Sequence, residues 1–283
     1  MKILITGAKG MLGRTLLRRF ASAADLQLAG IDLDEGNLAD PEVALRLVRA
    51  HQPDAIIHCA AFTKVDDCET SRDLAYQANA VGSGNIAAAA FRTGARLIAI
   101  STDYVFAGDK GPYTEFDAPA PRTVYGASKL AGEEMIRRHC PRHVIARIAW
   151  LYGAGGPSFV HTMMKLGAQD GAALKVVNDQ RGNPTSCDAV ADGLLHLLRS
   201  EAVGTVHLTC EGEATWYEFT REIFRLRGLR REVVACATAE YPRPAPRPAD
   251  SRLDKMALRL NNLCQMPDWR TALEEFFRLY PQG

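Results

Sequence analysis

Short apolar runs alternate with longer amphipathic stretches through the first half of the chain. Short apolar runs are typical of buried strands, and apolar residues spaced three and four positions apart are typical of helices that cover a sheet. The alternation therefore predicts an α/β fold with a doubly wound parallel sheet of the Rossmann type. The predicted strands are Ile3 to Thr6, Leu26 to Asp32, Ala55 to His58, Leu97 to Ser101 and Val144 to Ala149, and the predicted helices are Leu12 to Ala23, Pro41 to His51, Leu74 to Arg92 and Tyr125 to His139.

The alternation weakens after about Gly153. We expect residues 1–152 to form the Rossmann domain, which also takes later segments near 174–208, and residues 153–283 to form mainly a smaller substrate-binding region. The segment Tyr241 to Pro248 carries four prolines, so it is predicted to be an extended loop. Further strands are predicted at Leu174 to Val177 and Thr205 to Leu208, and further helices at Ser158 to Gln169, Asp188 to Arg199, Trp216 to Arg227 and Trp269 to Leu279.

Composition excludes several classes of protein. The 283 residues are 47% hydrophobic and 24% charged, which excludes a disordered or collagen-like chain. Since 34 basic residues balance 33 acidic ones, no net field attracts the chain to nucleic acid or to an anionic membrane, and we expect neither as a partner.

Seven cysteines without a C-x-x-C pair argue against a disulfide framework and a thiolate zinc site. The apolar N-terminal run breaks at Gly7, too early for a signal peptide or a membrane span. The sequence therefore predicts a soluble, cytoplasmic protein.

A glycine-rich turn follows the first predicted strand and opens a helix. Gly7, Gly10 and Gly13 allow a tight turn, a close approach of backbone N–H groups to a pyrophosphate, and close helix packing. Asp32 ends the second predicted strand, where a carboxylate binds an adenosine ribose. A purely structural turn and a solvated strand end are the alternatives, but the position in the first strand–turn–helix unit favours dinucleotide binding.

Two further patterns suggest a reductase. Tyr125 and Lys129 lie four residues apart on a predicted helix, so the phenol and the ammonium share one face, where a cation lowers the pKa of a phenol and assists proton donation. Ser101 and Thr102 follow an apolar strand, at the sheet edge where open α/β folds bind ligands. Each pattern alone also fits a structural role, but coincidence of all three on one sheet is improbable.

At this point the chain resembles the extended short-chain dehydrogenase/reductases, and among them the dTDP-4-dehydrorhamnose reductases. The matching strings cover nearly the whole length, and STDYVF with NDQ-G-x-PT is the most specific combination. The strings are TGAKGMLG at 6–13, AAFTKVDDCE at 60–69, STDYVF at 101–106, YGASKLAGE at 125–133, ARIAWLYG at 146–153, VVNDQRGNPT at 176–185 and RPADSRL at 247–253.

The resemblance implies reduction of the C4 carbonyl of dTDP-4-dehydro-L-rhamnose with NADPH or NADH as cofactor. It implies that Thr102, Tyr125 and Lys129 are catalytic, with Tyr125 as the proton donor. A dTDP-sugar would contact Thr102, Asp103 and Trp150. The cofactor would contact Gly7, Gly10, Met11, Leu12, Gly13, Asp32, Asn37, Leu38, Ala60, Ala61, Tyr125 and Lys129.

Several alternatives stay open at this stage. The resemblance extends to the β subunit of methionine adenosyltransferase, a non-catalytic regulatory subunit, and to reductases or epimerases of other nucleotide sugars. Some family members use magnesium at a dimer contact, but no convincing ligand set stands in this sequence, so we assign no metal-binding residue and leave a magnesium requirement and a homodimer open.

Two other features invite functional interpretation. Asp66, Asp67 and Glu69 form an acidic cluster that most simply makes a solvated loop or a helix start. Trp216 could stack on a base, but at a predicted helix start it is expected to pack in the core or in the substrate-binding region.

Overall fold

The computed structural model describes residues 1–282, which form twelve strands and eleven helices. The strands are β1 (Lys2–Thr6), β2 (Gln27–Ile31), β3 (Ala55–His58), β4 (Arg96–Thr102), β5 (His143–Ile148), β6 (Leu151–Tyr152), β7 (Leu174–Val177), β8 (Arg181–Gly182), β9 (Thr185–Ser186), β10 (Gly204–His207), β11 (Ala214–Thr215) and β12 (Val233–Cys236). The helices are α1 (Met11–Phe20), α2 (Pro41–His51), α3 (Val65–Thr70), α4 (Arg72–Tyr76), α5 (Gly82–Thr93), α6 (Val124–His139), α7 (Phe159–Gly167), α8 (Cys187–Arg199), α9 (Trp216–Arg227), α10 (Met256–Leu260) and α11 (Trp269–Leu279).

Six strands form one parallel sheet in the order β10–β5–β4–β3–β1–β2. The strand order reverses at β1, because β2 lies on one side of it and β3 on the other. Ligands of open α/β sheets bind at such a reversal, outside the carboxyl ends of the strands. The predicted doubly wound parallel sheet is confirmed, and its topology places a binding crevice beyond Thr6.

Alternating side chains of each strand enter the cores on the two faces of the sheet. Ile3 and Ile5 pack in the core that includes Leu12 and Leu16 of α1, whereas Leu4 packs in the core formed with α2, α5 and α6. Strands buried on both faces are apolar throughout, which explains why the first half of the sequence alternates so clearly.

Local sequence signals set several helix ends. The Asp40 carboxylate accepts hydrogen bonds from the N–H groups of Glu42 and Val43 at 2.9 and 3.3 Å, and Pro41 occupies the first helical position. Thr215 and Glu218 form a reciprocal capping box at the start of α9. Because these signals are local, the predicted bounds of α2 and α9 agree with the structure.

The helix predicted over Leu74 to Arg92 is interrupted by a π-helical turn at Gln77–Val81. The buried Asn79 explains the interruption: its side chain accepts from the Phe62 N–H at 2.8 Å and donates to the Phe62 carbonyl at 3.1 Å. The Asn79 carbonyl packs so closely on α6 that a Cβ at Gly132 would lie 2.2 Å from its oxygen. Tertiary contacts, rather than helical propensity, therefore shape this segment.

The second half of the chain is divided between the main sheet and a smaller region. The strand at Gly204–His207 joins the six-stranded sheet beside β5. The strand at Leu174–Val177, in contrast, pairs with Val233–Cys236 outside that sheet. The segment Tyr241 to Pro248 contains neither helix nor strand.

Candidate active site

A cavity of about 1110 Å³ opens at the carboxyl ends of the sheet strands, where the strand order reverses. Every site residue predicted from the sequence lines it. The lining residues from that set are Gly7, Gly10, Met11, Leu12, Gly13, Asp32, Asn37, Leu38, Ala60, Ala61, Thr102, Asp103, Tyr125, Lys129 and Trp150. The structure therefore brings these residues together, and their individual roles stay predictions.

The glycine-rich turn fits tightly against the next loop. Gly7 has φ +67°, and a Cβ there would lie 2.7 Å from the Ala60 backbone nitrogen. A Cβ at Gly13 would lie 2.3 Å from the Gly7 carbonyl oxygen, so the turn and the first helical turn require glycine. Gly10 is the N-cap residue of α1, and no side chain caps the helix, which leaves its first backbone N–H groups available to an anion.

Asp32 directly follows β2 at the cavity wall. Its Oδ2 accepts a hydrogen bond from the Lys9 N–H at 2.8 Å, and its Oδ1 accepts one from the Leu33 N–H at 2.8 Å. These bonds fix the orientation of the carboxylate at the cavity wall. The Lys9 ammonium, whose charge would favour a second phosphate, pairs with the exposed Asp34.

Thr102 and Tyr125 meet at the end of β4. The Thr102 hydroxyl donates to Asp103 Oδ1 at 3.0 Å and accepts from the Tyr104 N–H at 3.2 Å. Burial raises the pKa of the Tyr125 phenol above its usual range, and hydrogen bonding to the Thr102 side chain opposes the rise. The Tyr104 ring packs edge-on against Tyr125, with ring centroids 5.6 Å apart.

Lys129 lies one helical turn after Tyr125, but its ammonium donates to the Ile100 carbonyl at 2.7 Å. Burial lowers its pKa to about 8, and the buried Glu133 opposes the fall. Burial dominates the shift in the pKa of Tyr125, and Lys129 is not among the groups that shift it. The expectation that Lys129 lowers this pKa stays a prediction.

Asp103 is a buried carboxylate at the cavity. Asp103 is only 2% exposed, and burial raises the pKa of its carboxyl group to about 6. Hydrogen bonding to the Ser251 and Thr102 side chains opposes this rise.

Trp150 and Trp216 form the opposite wall. Their rings stack with centroids 3.4 Å apart and an interplanar angle of 2°, and Phe159 packs on Trp216 at 4.4 Å. Trp150 has φ +47°, which is rare for a bulky residue, and a Cβ at Gly182 would lie 2.3 Å from its ring. Only glycine at position 182 leaves room for the Trp150 ring. Backbone strain of this kind is often found at binding sites.

Several lining residues were missed by the sequence analysis. Trp216 was expected to pack in the core or the substrate-binding region, and the structure places it at the cavity wall beside Trp150. Its indole N–H donates to Gln180 Oε1 at 3.1 Å. The matching strings at 176–185 and 247–253 include Gln180 and Arg247, but the sequence analysis assigned no role to either residue. Other missed residues include Phe159, Lys175, Gln180, Tyr241, Arg243 and Arg247.

The acidic cluster lies on α3, with Asp66 and Asp67 in the first turn, so the helix-start interpretation is confirmed. Asp66 pairs with Arg247 at 2.9 Å, and Glu69 Oε1 accepts from the Val124 N–H at 2.9 Å at the start of α6. Within residues 1–282, no group of three or more His, Cys, Asp or Glu side chains is placed to hold a metal ion. No helix in the same range is both long and apolar enough to cross a membrane.

Comparison with known proteins places this geometry in context. The family model described as the RmlD substrate binding domain matches residues 1–281. A Streptomyces antibioticus protein named a probable dTDP-4,6-dihydroxy-2-methyloxan-3-one 4-ketoreductase is 41% identical, and the alignment covers 98% of this chain and 95% of that protein.

Two solved structures are similar over nearly the whole chain. A dTDP-4-dehydrorhamnose reductase from Clostridium acetobutylicum is 42% identical, with a TM-score of 0.96 and complete coverage of both chains. A dTDP-4-dehydrorhamnose reductase from Bacillus anthracis in complex with NADP is 39% identical, with a TM-score of 0.95 and coverage of 98% of this chain and 99% of that one.

Proposed function

The chain belongs to the RmlD substrate-binding-domain family, and from this premise we propose that it is an NAD(P)H-dependent reductase of a dTDP-4-dehydro sugar. The favoured substrate is dTDP-4-dehydro-L-rhamnose, whose C4 carbonyl is reduced to give dTDP-L-rhamnose. The observation that carries the proposal is one cavity that joins a glycine-rich dinucleotide turn to Thr102, Tyr125 and Lys129.

The residues at the sheet edge fit a nicotinamide dinucleotide. Side chains at Gly7 or Gly13 would collide with neighbouring backbone, so glycine keeps the turn tight. The uncapped start of α1 suits a pyrophosphate. Asp32 would accept from ribose hydroxyls, and Asn37 and Leu38 would lie near the adenine. When bound there, the cofactor supplies a hydride for the carbonyl carbon.

Tyr125 supplies the proton. Since burial raises its pKa, the phenol stays protonated at neutral pH. An alkoxide is a stronger base than a phenolate, so proton transfer from Tyr125 to the nascent alkoxide is downhill even with a raised pKa. Thr102, hydrogen-bonded beside it, orients the carbonyl oxygen towards the phenol.

Lys129 contributes charge and orientation. With a pKa of about 8, its ammonium keeps most of its charge at neutral pH. One N–H is used by the Ile100 carbonyl, which leaves the others to hold a ribose hydroxyl beside Tyr125. The sugar would contact Asp103 and Trp150, which both line the cavity.

The relatives support a dTDP-linked keto sugar, because the names of all three describe reductases of dTDP-linked substrates. The Streptomyces relative favours a second candidate within this class, a different dTDP-linked 4-keto sugar. The NADP in the Bacillus structure supports NADPH as a donor. A magnesium requirement has no support among the described residues.

Oxidation of NADPH and NADH with a panel of 4-keto nucleotide sugars tests the proposal. We expect turnover with dTDP-4-dehydro-L-rhamnose and a loss of about 100- to 10,000-fold in kcat for Tyr125→Phe, with cofactor affinity retained. Tyr217→Phe is the matched control, since Tyr217 lies outside the cavity and should keep full activity.

Three outcomes would contradict parts of the proposal. Wild-type kcat in Tyr125→Phe would remove the tyrosine as the acid. Better turnover of a uridine or guanosine sugar would change the substrate class. Cofactor binding without turnover of any 4-keto sugar would favour a non-catalytic regulatory subunit.

A further inference from the structure

A proline-rich segment, Tyr241 to Pro248, forms one rim of the cavity, and we call it the strap. Tyr241, Arg243, Arg247 and Pro248 all line the cavity. Prolines at alternate positions restrict φ and stiffen the backbone, so the strap holds an extended shape without a sheet partner. Its two arginines therefore occupy defined positions at the rim.

Asp66, on the short helix α3 across the rim, holds the strap. Its Oδ2 accepts from Arg247 Nη2 at 2.9 Å and lies 3.9 Å from Arg243 Nη1. Its Oδ1 accepts from the Ala245 N–H at 3.3 Å. One carboxylate thus binds two arginines and the backbone of the strap.

This contact lies close to the proposed proton donor. The charges of Asp66 and Arg247 both act on the phenol of Tyr104, whose ring packs against Tyr125. The loop that precedes α3 contributes Ala60, Ala61 and further residues to the cavity wall. Arg247 of this pair lines the cavity, and Asp66 binds Arg247 from outside the cavity lining.

The Asp66–Arg247 ion pair is accessible enough for a ligand to replace the carboxylate. The Arg247 and Asp66 side chains are 22% and 27% exposed, so water and a ligand can reach them. Arg247 Nη1 also donates to the Ala245 carbonyl at 3.1 Å, which keeps the guanidinium in place when the carboxylate is gone. A diphosphate carries more charge than a carboxylate and matches the planar guanidinium through paired oxygens.

We propose that Asp66 is a placeholder: it binds Arg247 and the strap in the free protein and yields Arg247 to the diphosphate of the nucleotide-sugar substrate. The proposal rests on the proposed function for the identity of the ligand. Lys175, which lines the same rim and pairs with Glu240 at 2.8 Å, is a further cation within the cavity. Asp66 is thus a positioning residue that competes with the substrate for one arginine.

Calorimetric titration with dTDP tests this competition, because dTDP carries the diphosphate and needs no turnover. Arg247→Gln should weaken dTDP binding about 10- to 100-fold, the effect of losing a charge-assisted hydrogen bond to phosphate. Asp66→Asn should strengthen it roughly 2- to 5-fold, the scale of a partly exposed ion pair. In the Arg247→Gln background, Asp66→Asn should have no strengthening effect.

Matched controls separate competition from general charge effects. Asp67→Asn removes the neighbouring carboxylate, which pairs with the exposed Lys64 at 3.6 Å, and Arg122→Gln removes an arginine that pairs with Asp109 at 2.5 Å outside the cavity. Neither should change dTDP affinity more than slightly. Thermal unfolding checks that each variant folds, and Asp66→Ser repeats the test with a smaller side chain.

The outcomes distinguish this proposal from the proposed reaction. Weaker dTDP binding in Asp66→Asn would show that Asp66 only orients the arginine, and unchanged binding in Arg247→Gln would show that the arginine does not meet the diphosphate. Either result, or a wild-type protein that does not bind dTDP, overturns the placeholder. If the dTDP affinities change as expected but no 4-keto sugar is turned over, the proposed role of Asp66 stands and the proposed reaction is wrong.

Discussion

Replacing Glu133 by glutamine is expected to destabilise the fold strongly. Both carboxylate oxygens of Glu133 bind Arg147, with Oε1 2.9 Å from Nε and Oε2 2.7 Å from Nη2. The Ser101 hydroxyl also donates to Oε1, at 2.6 Å, and Arg137 binds Oε2 at 2.9 Å. Arg147, Ser101 and Arg137 all donate hydrogen bonds to Glu133. The NH₂ group of a glutamine is also a donor, so at least one of these hydrogen bonds would be lost.

The burial of the pair sets the magnitude. The Arg147 and Glu133 side chains are 2% and 1% exposed, so the variant leaves a buried guanidinium without a counter-charge. Breaking a buried ion pair by removing one partner costs about 3–5 kcal/mol. At about 2 °C per kcal/mol for a chain of this size, the melting temperature should fall by about 6–10 °C.

The contribution of Glu133 also depends on pH. Burial acts to raise its pKa, but the hydrogen bonds and charge of Arg147 outweigh burial and lower the pKa in the folded protein. A carboxyl group with a lowered pKa stabilises the fold above its unfolded-state pKa, and this contribution is lost as the pH falls through the folded-state pKa. The wild-type protein should therefore lose this part of its stability in acid, and Glu133→Gln should not.

Glu133 also connects the core to the site, because its charge opposes the fall in the pKa of Lys129. Without that charge, the pKa of Lys129 should drop below its value of about 8, and the alkaline limb of kcat/KM should move to lower pH. Replacing the pair by Glu133→Leu with Arg147→Met should recover most of the stability while the limb stays displaced, since no buried charge is left unpaired.

Denaturant unfolding and pH–rate profiles measure these effects. Glu134→Gln is the matched control: Glu134 pairs with Arg137 at 2.6 Å, but its side chain is 59% exposed, so the change should cost under about 1 kcal/mol. A loss below about 1 kcal/mol in Glu133→Gln, or a double variant no more stable than it, would refute the reasoning from burial.

Three further predictions follow from the site. Gly13→Ala should weaken NADPH binding at least about tenfold, because a Cβ 2.3 Å from the Gly7 carbonyl oxygen displaces the turn; unchanged affinity in a fluorescence titration would contradict this. Burial lowers the pKa of His58 and His207 to about 3 in the folded protein. As the pH falls from 6.5 to 5, these histidines bind protons in the unfolded chain but not in the folded one. The free energy of unfolding, measured in denaturant titrations, should therefore fall by about 2 kcal/mol per histidine. Asp32→Ala should raise kcat/KM for NADPH relative to NADH, because a carboxylate repels a 2′-phosphate; undetectable wild-type activity with NADH would contradict the role of Asp32.

The amino-acid sequence determined the elements and the motifs. The bounds of α2 and α9 agree with the prediction because Asp40 and Thr215 cap their own helices through contacts within three residues. The glycine turn and the Tyr125–Lys129 pair were equally visible, since backbone conformation and helical spacing relate residues a few positions apart. The parallel sheet followed from the same local periodicity.

Only the tertiary structure decided which distant segments meet. No local pattern distinguishes the strand at Gly204–His207, which joins the main sheet, from that at Leu174–Val177, which does not, because strand pairing depends on packing of the whole chain. The contact of Asp66 with Arg247 spans 181 residues, and the Trp150–Trp216 stack likewise joins separate regions. The direction of the Tyr125 pKa shift depends on burial, which spacing along a helix does not reveal.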